Sequence, residues 1–130
     1  MPEQDLIKRG YAAFARGDMK AVLEFIDPEI EVHEPGGGVE PGVRRSIDGF
    51  LASIRNVQEV WEDFALEPEE VIELEDRLLV RVLMRGTGKG SGVPIHTRVA
   101  HLWTVREGRA VKLEMWTNWD EALEAVGLAG

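Results

Sequence analysis

The sequence contains no cysteine, and this absence removes several kinds of chemistry from consideration. Without thiols the chain cannot form disulfides, use a thiolate nucleophile or build a cysteine-based metal site. Histidine is scarce as well, with three in 130 residues. His96 and His101 lie five apart on one predicted strand, so they face opposite sides and cannot form a metal pair. We therefore expect no metal, and the glycine run at 86–92 lacks the pattern of a phosphate-binding loop.

An excess of basic charge and long apolar segments are also missing. The 24 acidic residues outnumber the 15 basic ones, which gives a net charge of −9 at pH 7. Such a chain repels phosphates, so neither nucleic acid nor an anionic membrane is an expected partner. No apolar run approaches the ~20 residues of a membrane span, and the first residues do not resemble a signal peptide. The expected location is the cytoplasm.

The residues that are present predict helices first and strands later, in one domain over residues 1–130. Apolar residues at helical spacing, followed by alternating patterns, place the elements along the chain. The predicted helices cover 3–18, 19–26, 43–56 and 119–126, and the predicted strands cover 29–34, 63–75, 77–88, 94–105 and 110–118. This order predicts an α+β domain with helices packed on one antiparallel sheet.

Two strand patterns bear on the faces of this sheet. In the first strand, Ile30, Val32 and Glu34 share one face, so a carboxylate lies in the apolar phase, next to a loop rich in glycine and proline. In the strand 94–105 apolar residues point to both faces of the sheet. A strand with one face in solvent alternates more regularly between apolar and polar residues. Because helices were expected on one face only, the outer face is predicted to contact a second subunit in a homodimer.

Three stretches carry a resemblance to a known family. They are YAAFARGDMKAVLEFIDPEIEVHEP, GVRRSIDGF and GTGKGSGVPIHTRVAHLWTVREGRAVKLEMWTNWDEALEAVGL. The chain resembles SnoaL-like proteins of the NTF2-like superfamily, which includes ketosteroid isomerase and limonene epoxide hydrolase. This resemblance covers nearly the whole chain. It implies a cone, in which a curved, mostly antiparallel sheet wraps around the N-terminal helices and leaves one end open.

The resemblance also implies positions for a site. Ketosteroid isomerases keep their general base directly before a proline at the end of the first strand, and Glu34-Pro35 matches this position. Their two oxyanion donors correspond to Gly10 and Ala100, which have no donor side chain, so steroid isomerisation is not expected. If Ala100 faces the pocket, Leu102, His96 and Arg98 share its face. His101 and Trp103 then belong to the outer face, although a single bulge would exchange the two faces.

The candidate site residues follow from these assignments. Glu34 is the candidate base, because a carboxylate in a desolvated interior can accept a proton near neutral pH. His96 or Arg98 would polarise a substrate oxygen. The expected ligand-lining residues are Tyr11, Phe14, Phe50, Leu51, Leu102 and Met115. Each has a simpler interpretation as well: the carboxylate could lie solvated at the rim or pair with an arginine, the arginine could pair with acidic residues, and the aromatic residues could be core.

Three functions remain open at this point. The first is a SnoaL-like enzyme without metal or organic cofactor that binds a small apolar molecule and performs acid–base chemistry, as an isomerase, cyclase or hydrolase. The second is a non-catalytic protein that binds a ligand in the same cavity. The third is a dimeric interaction module whose cone is filled by side chains. An enzyme needs at least two polar groups around one apolar pocket, and the sequence supports only Glu34 well.

Overall fold

The structure is a computed structural model that describes residues 3–34 and 43–128. Its helices are α1 (Glu3–Ala15), α2 (Met19–Glu24), α3 (Ser46–Val60) and α4 (Trp119–Ala125). Its strands are β1 (Ile26–His33), β2 (Val43–Arg45), β3 (Trp61–Glu73), β4 (Arg77–Gly88), β5 (Pro94–Arg106) and β6 (Arg109–Trp116). The predicted α+β class, with a curved and unclosed sheet, is confirmed.

The six strands form a single sheet in the order β2-β1-β6-β5-β4-β3. β1 and β6 are parallel, and every other neighbouring pair is antiparallel. β3 is an edge strand with a register shift between Pro68 and Glu70, as expected for a proline that cannot donate to the ladder. Glu107 and Gly108 both have positive φ and form the two-residue turn between β5 and β6, which matches the twist of the two strands.

Helices α1, α2 and α3 pack on the inner face of this sheet. The apolar positions of α1 recur at helical spacing, so Ile7 and Tyr11 are buried on one side. They join the inner-facing residues of β1, β4, β5 and β6 in one core. The most buried members of that core are Ile7, Ile26, Ile30, Val32, Leu78, Val80, Val82, Val105 and Ala110.

Helix α4 lies on the opposite, outer face. Asn118 caps it by accepting a hydrogen bond from the Glu121 backbone N–H. Ala122 of this helix packs with Leu79, Ala100 and Leu102 in a second apolar cluster. The expectation that helices cover only one face is therefore wrong, because α4 buries part of the outer one.

Several element boundaries also differ from the sequence prediction, and two of the differences concern the neighbours of β1. Residues 43–45 form the short strand β2 rather than the start of α3, because they pair with β1 from Glu31 to His33. The second helix ends at Glu24, and Ile26 already belongs to β1. The predicted glycine- and proline-rich loop at 35–42 lies outside the described residues. Within the described ranges, no helix is both long and apolar enough to span a membrane.

Candidate functional site

A cavity of about 380 Å³ lies between the inner face of the sheet and helices α1 and α3. Its wall is mostly apolar, with side chains from Ile7, Val22, Phe25, Ile54, Phe64 and Val99 among the contributors. The residues along this wall whose side chains contain N or O atoms are Tyr11, Glu34, Ser53, Asn56, His101, Trp103, Trp116 and Thr117. A few polar groups in an apolar cleft of this size are typical of small-molecule sites.

The sheet register brings two of these polar groups into one row. Val32 is paired with Leu113 and His33 with Glu114, so Glu34 comes next to Met115 when the register continues by one residue. On the other side of β6, Met115 is paired with His101. Glu34 and His101 are thus two strands apart, which corresponds to about 10 Å between their Cα atoms.

The Glu34 carboxylate is bound asymmetrically. Arg44 Nε donates to Glu34 Oε1 at 2.9 Å, and the Ser53 hydroxyl donates to the same oxygen at 2.7 Å. Arg44 belongs to β2 and Ser53 to the inner side of α3, so two different elements orient the carboxylate. Oε2 has no hydrogen-bond partner among residues 3–34 and 43–128. This oxygen is left to accept a hydrogen bond or a proton from a bound molecule.

Tyr11, His101 and Trp103 form a second polar group on the cavity wall. The Tyr11 hydroxyl oxygen lies 2.6 Å from His101 Nδ1 and accepts a hydrogen bond from Trp103 Nε1 at 3.0 Å. All three side chains are buried. Burial raises the pKa of Tyr11 well above its usual range and lowers the pKa of His101 to about 4. Both side chains are therefore uncharged at neutral pH.

Most of the expected lining residues reach the cavity. Tyr11, Phe14, Phe50 and Met115 all line it, and their role in ligand binding stays a prediction. Leu51 packs against the core without lining the cavity. Leu102 was expected inside and is instead in the outer cluster beside Ala100 and Ala122.

The expected placement of His96 and Arg98 on the inner face is wrong. Both are exposed, and they share the outward phase of β5 with Ala100. Arg98 Nε donates to Glu69 Oε1 at 2.8 Å on this surface, and that hydrogen bond lowers the pKa of Glu69. The physical reason is that α4 covers Ala100 and Leu102 from outside, so the opposite phase of β5 faces the cavity.

His101 and Trp103, which sequence reasoning assigned to the outer face, therefore belong to the cavity. A signal for this was present: their phase of β5 carries no charged residue, whereas the other phase carries Arg98. Ser53 was missed too, although it follows the buried Phe50 by three residues on α3 and so faces the same side. Among the described residues, no group of three His, Asp or Glu side chains is placed to hold a metal ion.

This geometry can be compared with known proteins. The family model of the SnoaL-like domain matches residues 7–113, which is most of the chain. The chain belongs to the SnoaL-like family. The predicted family is thereby confirmed, together with its NTF2-like fold, which is a small-molecule-binding fold. In this SnoaL-like protein the cavity lies between the sheet and the N-terminal helices.

Individual relatives agree with the family assignment. An uncharacterised protein of Mycobacterium tuberculosis is 30% identical over 110 residues, covering 84% of this chain and 83% of that protein. An NTF2-like protein of unknown function from Burkholderia pseudomallei has a TM-score of 0.80 at 28% identity, covering 95% of this chain and 97% of that one. A candidate polyketide cyclase from Sinorhizobium meliloti has the same fold, with a TM-score of 0.69 at 23% identity. The match covers 88% of this chain and 94% of that one.

Proposed function

We propose that this SnoaL-like protein binds a small, largely apolar organic molecule in its cavity. We further propose that it acts there as an acid–base enzyme of the isomerase, cyclase or hydrolase type, without a cofactor. Glu34 is the proposed base. The observation that carries the proposal is that Glu34 lines the cavity and that its Oε2 has no hydrogen-bond partner among residues 3–34 and 43–128, while Arg44 and Ser53 hold Oε1.

The chemistry follows from this arrangement. A carboxylate that is oriented by two donors loses little freedom when a substrate approaches, so its free oxygen is preorganised to accept a proton. Arg44 Nε lies 2.9 Å from Oε1, so an ion pair holds the carboxylate in addition to the Ser53 hydroxyl. Across Met115 from Glu34, the Tyr11–His101 pair supplies the second polar feature that an enzyme site requires.

Deuterium exchange tests proton abstraction without knowledge of the product. The protein is incubated in D₂O with small cyclic ketones that carry an acidic C–H next to the carbonyl. Mass spectrometry then follows the incorporation of deuterium into the ketone. We expect the wild type to accelerate exchange and Glu34→Gln to lose the acceleration by about 10²-fold or more, the usual size of a general-base contribution. Glu31→Gln is the matched control, because Glu31 lies on β1 only three residues before Glu34 but contacts His33 and Arg45.

Equal acceleration by wild type and Glu34→Gln would contradict the proposed role of Glu34. Ligand binding is measured on the same variants by thermal shift, so that loss of exchange is separated from loss of binding.

A second candidate function is ligand binding without turnover. The observation that favours it is the ion pair between Glu34 and Arg44. In this case Arg44 balances the charge of the carboxylate, and the pair serves only to hold β2 against β1. In that case the ketones bind and raise the melting temperature, but neither wild type nor variant accelerates exchange.

We also propose that the protein is cytoplasmic and that two copies pair through the outer sheet face. Support for pairing comes from apolar side chains on this face that pack against the outer cluster and are only partly buried within one copy: Trp116, Trp119, Leu123 and Val126. A second copy on this face would bury them further. Sedimentation equilibrium is the test, and a monomer at micromolar concentration contradicts this part of the proposal.

A further inference from the structure

The chemistry of the side chains decides which group donates and which accepts in the hydrogen bonds among Trp103, Tyr11 and His101. An indole N–H can only donate, so the Tyr11 oxygen is the acceptor of the 3.0 Å bond from Trp103 Nε1. The remaining contact, between the Tyr11 hydroxyl and His101 Nδ1, allows two arrangements. Either the hydroxyl donates to a bare Nδ1, or a protonated Nδ1 donates to the hydroxyl oxygen.

The first arrangement leaves fewer groups unpaired. If Nδ1 carried the proton, the Tyr11 O–H would need another acceptor, and none is present among residues 3–34 and 43–128. Tyr11 is 6% exposed, and an unpaired hydroxyl at that depth is costly. If the hydroxyl donates instead, Trp103 and Tyr11 are both satisfied.

The ring geometry agrees with this choice. The planes of the Tyr11 and His101 rings differ by only 10°, and the Tyr11 oxygen lies 2.6 Å from Nδ1. This orientation lets the hydroxyl approach the Nδ1 lone pair, which lies in the imidazole plane.

We infer that Trp103 and Tyr11 are positioning residues that hold His101 in the neutral tautomer protonated at Nε2, so that His101 presents an N–H donor to the cavity. The low pKa of His101 agrees, because burial keeps the ring uncharged. Nε2 has no hydrogen-bond partner among the described residues, although His101 lines the cavity. The missing partner is assigned to the ligand.

A donor at this position specifies the chemical class of the ligand. An uncharged N–H in an apolar wall favours a neutral oxygen acceptor, such as a carbonyl, over a hydrocarbon of the same shape. In the same row the positive charge of Arg44 is already paired with Glu34, so this ion pair offers no net positive charge to an anionic ligand. This assignment rests on the proposed function and deepens it: the ligand is a neutral carbonyl compound, with its oxygen at His101 and its acidic C–H towards Glu34.

The tautomer is measured directly by long-range ¹⁵N–¹H correlation NMR on the 130-residue chain with ¹⁵N-labelled histidine near neutral pH. We expect the wild-type spectrum to show His101 protonated at Nε2 alone. In Tyr11→Phe, which keeps the ring and removes the hydroxyl, we expect the Nδ1-protonated form to become populated. His96 is exposed on the outer face and serves as the internal reference, because its signals are expected to be the same in both proteins.

Ligand preference is tested with 2-decalone and its exocyclic methylene analogue, which has the same shape without the oxygen. We expect the wild type to prefer the ketone by about five-fold, the worth of one ordinary hydrogen bond. His101→Phe is expected to abolish this preference, Tyr11→Phe to reduce it, and Glu34→Gln to retain it.

Two results would overturn the inference. One is a wild-type His101 that is protonated at Nδ1 or on both nitrogens. The other is an equal preference for the ketone in wild type and His101→Phe. Neither readout involves turnover, so failure of the deuterium-exchange experiment with Glu34→Gln is distinguishable from failure of this assignment.

Discussion

Acid is expected to destabilise this protein through His101 in particular. The buried imidazole has a pKa of about 4 in the folded state, against 6.5 for an exposed histidine. Between these values the unfolded chain binds more protons than the folded one, so the free energy of unfolding falls as the pH drops. At ~1.4 kcal/mol for each pH unit between the two pKa values, the full loss is roughly 3.5 kcal/mol.

The structure offers a variant that isolates this contribution. In His101→Asn the side-chain oxygen takes the place of Nδ1, so it can still accept a hydrogen bond from Tyr11, but it does not titrate. Denaturant unfolding of both proteins at about pH 7.5 and about pH 4.5 gives four free energies. We expect the wild type to lose about 2–3 kcal/mol more than the variant between the two pH values.

The 24 acidic residues do not disturb this comparison. They titrate in both proteins, so their contribution cancels in the difference between the two losses. If wild type and His101→Asn lose the same free energy, the imidazole is not buried in its neutral form, and the reasoning about the Tyr11–His101 pair fails with it.

Three further predictions concern residues on either side of the sheet. Leu102→Ala is expected to lower the free energy of unfolding, measured in denaturant, by about 2–5 kcal/mol, because Leu102 is fully buried. The affinity for the ketone should stay unchanged, and a weaker affinity would place Leu102 in the site. Arg98→Gln removes an exposed ion pair with Glu69, so neither the melting temperature nor deuterium exchange should change, and slower exchange would contradict its outward placement. Ser53→Ala leaves Arg44 alone on Oε1, and exchange is expected to slow by about five-fold, less than in Glu34→Gln; an unchanged rate would refute a positioning role for this hydroxyl.

Local patterns predicted the elements that depend on local forces. The helical spacing of Ile7, Tyr11 and Phe14 predicts α1, and the proline in β3 predicts an irregular edge strand, as the structure shows. The alternation of Ile30 and Val32 predicts that Glu34 faces the interior, and the carboxylate does line the cavity. In each case the side chain's neighbours along the chain are enough to decide its direction.

The sequence did not predict which residues contact the Glu34 carboxylate. Ser53 is 19 residues away along the chain and Arg44 is 10 away, and both meet the carboxylate only because β2 pairs with β1 while α3 packs beside them. The same holds for Tyr11, which meets His101 across 90 residues of sequence. Contacts of this range depend on how whole elements pack, which no local pattern contains.

By itself the sequence determined the order of elements, the α+β class, the resemblance to SnoaL-like proteins and the pairing of residues by face within each strand. Which face of β5 points inward was decided only by tertiary structure. The alternation of side chains along a strand places Arg98 on the same face as Ala100, and His101 on the same face as Trp103. It does not show which of the two faces contacts the helices. Because α4 buries the outer face over Ala100, both sets contain buried apolar residues, and only the packing of α1 against His101 settled the question.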